Sequence, residues 1–289
     1  MRKRSMPQAR QLERPNGLQW DIAPKALESW TPNIMAAAST DNTISVLDPI
    51  GFDPWTGEGV TAKRIAAALR SIGADEDVVV NVNSPGGDLF EGMAIYNLLR
   101  DHKGKVTVRV LGLAASAASI IAMAGDEVMI ARAGFLMIHN TWVLAIGNRH
   151  DLRDIADTLE PFDAAMADIY AARSGMDQKA IGKLMDKETW INGAAAVEQG
   201  FADSLLPADE VKKEANARRD VLAARRIETV LARSGLTRSE TRELMNEYKS
   251  GMRDAAGAGT PCAADDDMRD AVVAVKEIFS TFSKEYQNA

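Results

Sequence analysis

Cysteine is nearly absent. Cys262 stands alone in 289 residues, which excludes an intramolecular disulfide framework and a cysteine-based zinc cluster and suits a reducing cytoplasm. A basic excess is missing too: 34 basic against 41 acidic side chains leave a net charge of −7, the wrong sign for general phosphate neutralisation, so no nucleic-acid partner is expected. No run approaches the ~20 apolar residues of a membrane span. The basic start, Met1-Arg-Lys-Arg, is followed by Pro7, Gln8, Arg10, Gln11 and Glu13 instead of an apolar core, so it does not read as a secretory signal. Histidine is scarce, with only His102, His139 and His150. A soluble, cytoplasmic protein with no membrane association, no metal and no cofactor is the expectation.

What is present is a 46% hydrophobic, 26% charged chain, enough for one full domain with appendages. Residues 1–42 are polar and interrupted by Pro7, Pro15, Pro24 and Pro32, with isolated Trp20 and Trp30; this reads as an N-terminal arm packing on the body or on a neighbour. The body spans 43–207. It opens on a strand at Ile44–Leu47, a loop at Asp53–Gly57 and a helix at Val60–Ile72 closed by Gly73. Asp77–Ser84 is a continuous apolar strand of the doubly covered kind, ending at Ser84-Pro-Gly-Gly87 before a helix at Asp88–Leu99. Strand, Gly-rich turn and helix recur after Val106, which predicts an α/β fold of repeated β-α units. The Gly-Gly turn lacks both dinucleotide spacing and a P-loop lysine. Residues 208–256 read as a charged helical extension and 257–289 as a linker with a terminal amphipathic helix, the composition of an interaction segment.

The stretch from Val106 to Gly125 carries the first chemical signal. It predicts a strand, a turn at Gly112 and a buried helix, with Ser116 in the helix's first turn, where free N–H groups and the dipole favour developing negative charge. The other reading of Ser116 and Ser119 is small residues at a close helix contact. His139 ends an apolar strand, as α/β active-site residues often do; the other reading is a satisfied core histidine. His102 and His150, in charged surroundings, are expected to be solvated. Leu152, Ile155, Leu159, Phe162, Met166 and Ile169 form a narrow seam along a helix from Asp151 to Ser174, suited to a partner helix, with Pro161 expected to kink or split it. Asp186 and Glu188, taken alone, read as surface charge.

In sequence order, Asn83-Ser-Pro-Gly-Gly87, Gly112-Leu-Ala-Ala-Ser116, Met137-Ile-His139 and a glutamate before Trp190-Ile-Asn-Gly-Ala-Ala-Ala-Val-Glu-Gln-Gly-Phe-Ala-Asp203 resemble the ClpP serine peptidases, most of all their phage head maturation (prohead) branch. The likeness covers about 43–206 and implies a ClpP/crotonase-like fold. It implies Ser116 as nucleophile, His139 as general base, and the backbone N–H groups of Gly87 and Ala117 as the oxyanion hole. Where the family has an aspartate this chain has Glu188, with Asp186 as the fallback; glutamate orients histidine in other triads. Leu113 and Ala117-Ala118 also depart from the family motif. The resemblance further implies a homo-oligomeric ring, packed through the seam helix, and protein substrates. In the prohead branch these are capsid or scaffold subunits, processed in the host cytoplasm or inside an immature head. An ATPase-fed degradative peptidase and an inactive scaffold with a peptidase-like body are the alternatives. Signal peptide peptidase A-type enzymes need a buried lysine, not evident here, and enoyl-CoA hydratase-type enzymes have no need of a Ser-His pair.

Overall fold

The computed structural model describes residues 6–9, 13–15, 18–36, 40–52, 59–207 and 211–213, with isolated positions beyond. The chain separates into two compact units, Met1–Glu243 and Leu244–Ala289. The loop expected at Asp53–Gly57 lies outside the described residues. So do the extension of 208–256, apart from 211–213 and isolated positions, and the linker and helix of 257–289.

In chain order the elements are β1 (Gln19–Trp20), α1 (Pro24–Ser29), β2 (Ile34–Ala36), β3 (Thr43–Val46), β4 (Gly51–Phe52), β5 (Gly59–Val60), α2 (Ala62–Ile72), β6 (Val78–Ser84), α3 (Leu89–Asp101) and β7 (Val106–Ala115). They continue as α4 (Ala117–Met123), β8 (Glu127–Ala131), β9 (Phe135–Ile138), β10 (Val143–Leu144), α5 (Arg149–Ser174), α6 (Gln178–Asp186), β11 (Thr189–Asn192), α7 (Gly193–Glu198), β12 (Ser204–Leu206) and β13 (Val211–Lys213). Seven strands make the main sheet among the described residues. β3, β6 and β7 run parallel, and β7 gives one edge to β8 by its first half and to β9 by its second. β11 closes the β9 side antiparallel. This is the α/β architecture that the repeated strand-turn-helix pattern predicts.

One sheet face buries Val80, Val82, Val108, Val110 and Ile130 beneath α3 and the wholly buried α4. The opposite face is covered by residues that the sequence places in an arm. Ile22, Ala23, Ala26, Leu27 and Trp30, on and around α1, pack on Leu113, Ala115 and Met137, and the neighbours Leu47, Leu111, Ala131 and Leu206 lie against β2. Asn83 ties the two together: its amide donates to the Thr31 and Ile34 carbonyls and accepts from the Leu113 N–H, while the Trp30 indole donates to the Asn83 carbonyl. β2 in turn pairs with β13, so segments on either side of the 43–207 span meet. Each fully buried Ile, Leu or aromatic side chain stabilises by about 1.5–3 kcal/mol, so this cover is a substantial part of the fold.

Three local expectations are corrected. The helix after Gly112 does not begin at Leu113: β7 continues to Ala115 and the helix starts at Ala117, because Leu113 to Ala115 pair with Phe135 to Met137. Pro161 does not split α5, which runs unbroken from Arg149 to Ser174; Pro161 and Asp157, whose carbonyl loses its partner, both face solvent, where that loss costs least. His102 is not solvated but 7% exposed, with Nε2 2.7 Å from the Glu76 carbonyl oxygen.

Candidate active site

Three chain turns converge at the C-terminal ends of the parallel strands, where α/β folds place their sites. Ser116 follows β7, Gly86 and Gly87 follow β6, and His139 follows β9. Parallel pairing aligns Ala115 with Met137, and the Ser116 N–H donates to the Met137 carbonyl at 2.9 Å. That alignment delivers the imidazole to the hydroxyl: His139 Nε2 lies 2.7 Å from Ser116 Oγ.

Backbone strain marks the same place. Among the described residues only Ser116 (φ 55°) and Glu188 (φ 50°) are non-glycine residues with positive φ. Such conformations persist only where the surroundings over-determine them. At Ser116 the strain turns the chain sharply from strand to helix and lifts the hydroxyl out of both. The Gly-Gly turn packs behind it without room for side chains. A Cβ on Gly86 would sit 2.6 Å from the Ala115 carbonyl oxygen, and one on Gly87 2.2 Å from that of Ile50.

Gly87 is bracketed by hydrogen bonds that leave its own amide unused. Ile50 donates to the Gly86 carbonyl and accepts from the Asp88 N–H, so in this parallel bridge the Gly87 N–H points away from Ile50. The Ala117 N–H, first in α4, has no carbonyl four residues back to bond. Neither amide has a partner among the described residues. α4 can approach α3 closely because position 92 is glycine, where a Cβ would come 2.9 Å from the Ala117 Cβ.

The two acids separate. β11 runs antiparallel to β9 with Thr189 opposite Ile138, which sets Glu188 opposite His139. No hydrogen bond joins their side chains; Glu188 acts on the ring through its charge. It also forms an ion pair with Lys25 at 3.2 Å. Asp186 instead accepts from the Asn140 amide at 2.9 Å, one residue beyond the histidine.

Burial lowers the His139 pKa from 6.5 to about 4, with the Glu188 charge pulling the other way. The neutral ring is the one able to accept a proton, so the acid limb of kcat/KM is expected well below pH 6.5, towards 4. A limb centred at or above 6.5 in a pH–rate profile would contradict this environment. The same shift has a stability sign. As pH falls from about 6.5 to about 4 the unfolded chain takes up the His139 proton before the folded one does, so stability is lost through that window.

Ser116, His139, Gly87 and Ala117 are thus brought together, with Glu188 beside them and Asp186 held on Asn140. Sequence reasoning missed the N-terminal segment at the site. β1 pairs with β10, four residues past His139, Arg14 forms an ion pair with Asp88 next to Gly87, and Lys25 reaches Glu188. No motif or period announces these contacts. Ser119, the other serine of this stretch, is fully buried and donates its hydroxyl proton to the Ser116 carbonyl oxygen. Among the described residues no cluster of ligating side chains suited to a metal ion occurs, and no helix is long and apolar enough to cross a membrane.

The family model described as Clp protease matches residues 34–209. Among curated proteins, the ATP-dependent Clp protease proteolytic subunit 1 of Prochlorococcus marinus (strain MIT 9312) is 30% identical over 166 residues, 55% of this chain and 85% of that protein. Subunit 1 of Streptomyces avermitilis is 29% identical over 167 residues, covering 55% of this chain and 76% of the relative. Subunit 2 of Treponema denticola is 30% identical over 141 residues, 47% and 70% respectively.

Proposed function

Since this chain belongs to the Clp protease family and is a serine endopeptidase, we propose that Ser116 is its nucleophile, His139 its general base, and the Gly87 and Ala117 N–H groups its oxyanion hole. The observation that carries this reading is the 2.7 Å contact between His139 Nε2 and the hydroxyl of Ser116, a residue held in left-handed backbone. His139 takes the hydroxyl proton as Oγ attacks the scissile carbonyl, and the two amides receive the negative charge on the carbonyl oxygen. The proton then passes to the leaving amine, and water, activated by the same ring, releases the acyl group. Glu188 favours the imidazolium that forms between these steps.

For the substrate, the resemblance to the head maturation branch favours processing of capsid or scaffold subunits. The charged residues after 209, outside the family match, supply a segment able to recruit them. The relatives' names, ATP-dependent proteolytic subunits, favour a second reading in which an ATPase feeds the enzyme. Incubating the purified protein with a capsid or scaffold protein, with and without an ATPase, separates the two. Discrete ATP-independent cuts support processing; degradation only with ATPase and ATP supports feeding. No cleavage of either kind, nor of a small peptide, overturns both.

A homo-oligomeric ring is also proposed, using part of α5, with one revision to the seam. Phe162, Met166 and Ile169 fill this subunit's own core, while Leu152 is 46% exposed and Ile155 and Leu159 are half-buried. Leu159 packs against that core, so only Leu152 and Ile155 are left for a neighbour, with Ile146, 83% exposed, just before them. Leu152→Asp with Ile155→Asp is expected to break the assembly and keep the fold, whereas Met166→Asp unfolds the chain, since a charge there is buried unpaired. A wild-type protein seen only as monomer by mass photometry contradicts the proposal.

A further inference from the structure

Ser119 and Tyr170 are buried hydroxyls that the proposed reaction does not use. Both are fully buried, and Ser119 Oγ lies 2.7 Å from the Tyr170 hydroxyl and 2.6 Å from the Ser116 carbonyl oxygen. A carbonyl oxygen only accepts, so the single Ser119 proton goes to Ser116. The contact with Tyr170 must then be made by the tyrosine's proton. Burial pushes the Tyr170 pKa up, which keeps that proton in place. The result is a directed chain from Tyr170 through Ser119 to the Ser116 carbonyl. The same oxygen also accepts from the Ser119 and Ile120 N–H groups at 2.9 and 3.3 Å.

That carbonyl belongs to the peptide unit whose other end is the Ala117 N–H, and a peptide unit is planar and rigid. Fixing the oxygen with three donors fixes the direction of the N–H. Donors on the oxygen also draw electron density from the nitrogen and make its N–H a stronger donor. The strained backbone of Ser116 (φ 55°, ψ −126°) is held on this side by those three donors and on the other by its own N–H bond to the Met137 carbonyl. Tyr170 is itself immobilised, with its ring edge-on to Phe201 at 6.2 Å.

We propose that Ser119 and Tyr170 are positioning residues for the oxyanion hole, orienting and polarising the Ser116–Ala117 peptide so that its N–H meets the developing oxyanion. The inference rests on the reading of Ser116 as nucleophile. It assigns the hydroxyls a rate effect separate from their effect on stability.

The test uses the full chain, a small fluorogenic peptide and a peptide boronate, which presents a tetrahedral, oxyanion-like centre. Ser119→Ala is expected to lower kcat about tenfold, less than outright loss of an oxyanion donor, with KM changed by less than about twofold. Boronate affinity falls by the same factor as kcat/KM. Tyr170→Phe removes one oxygen atom and gives a smaller loss of the same kind. In the double variant kcat stays at the Ser119→Ala level, while Tm rises above that of Ser119→Ala, because no buried tyrosine hydroxyl is left unpaired. A merely structural role makes rate and Tm move together. Unchanged kcat in Ser119→Ala, a loss confined to KM, or a double variant whose rate recovers with its Tm overturns the inference and leaves the site intact. A wild-type protein that neither cleaves the peptide nor takes a fluorophosphonate at Ser116 overturns the site, and the inference with it.

Discussion

Ser116→Ala is expected to lower peptide hydrolysis by about 10⁴- to 10⁶-fold, and His139→Ala to match it, with the double variant little worse than either. The reason is mutual dependence. A serine hydroxyl is a weak nucleophile until a base takes its proton, and the base has nothing to deprotonate once the hydroxyl is gone. Neither change should harm the fold, since alanine at 116 keeps the Cβ and the backbone bonds to Met137 and Ser119. A fluorophosphonate should label Ser116 alone. Labelling of Ser119 would redirect the assignment, although its hydroxyl is wholly buried; full activity in Ser116→Ala would remove the nucleophile from the scheme.

Glu188→Gln carries the next largest expected loss, about 10²- to 10⁴-fold, by analogy with neutralised acids of other triads, while Asp186→Asn stays within about tenfold. The structure supplies a second readout. Glu188 is the charge that raises the His139 pKa against burial, so the amide lowers that pKa further and moves the acid limb to still lower pH. Asp186, bonded to Asn140, leaves the limb in place. The register of β11 against β9 sets Glu188 opposite His139, and hydrogen bonds between catalytic groups often tighten only on substrate binding. The opposite ranking of rates, together with a limb that moves with Asp186, would transfer the role.

Much of this protein is legible in its sequence alone. The continuous apolar run at Val78–Ser84 and the alternation from Val106 follow from strand geometry, and the glycines at 86 and 87 from turns no other residue can make. The order of the motifs around them led to the family. The boundary at Ser116 was not legible. Leu113 to Ala118 is small and apolar throughout, and a run buried on every side shows neither a helical nor a strand period. Strand won as far as Ala115 because β9 offers three residues of backbone pairing there, and β9 is distant in sequence.

The same physics explains the other differences. Trp20 and Trp30 sit among prolines with no period around them, yet both are 2% exposed; what buries them comes from β7, α3 and α5, distant in sequence. Met166 and Leu152 look alike in the seam, but one lies in the core and the other on the surface, and only packing against this subunit's own helices tells them apart. Local pattern therefore determined the elements, the turns and the candidate chemistry, because these depend on neighbours in the chain. Tertiary structure decided where β7 ends, which acid lies opposite His139, what covers the sheet and how Tyr170 comes to bond Ser119, because each depends on contacts between residues far apart in sequence.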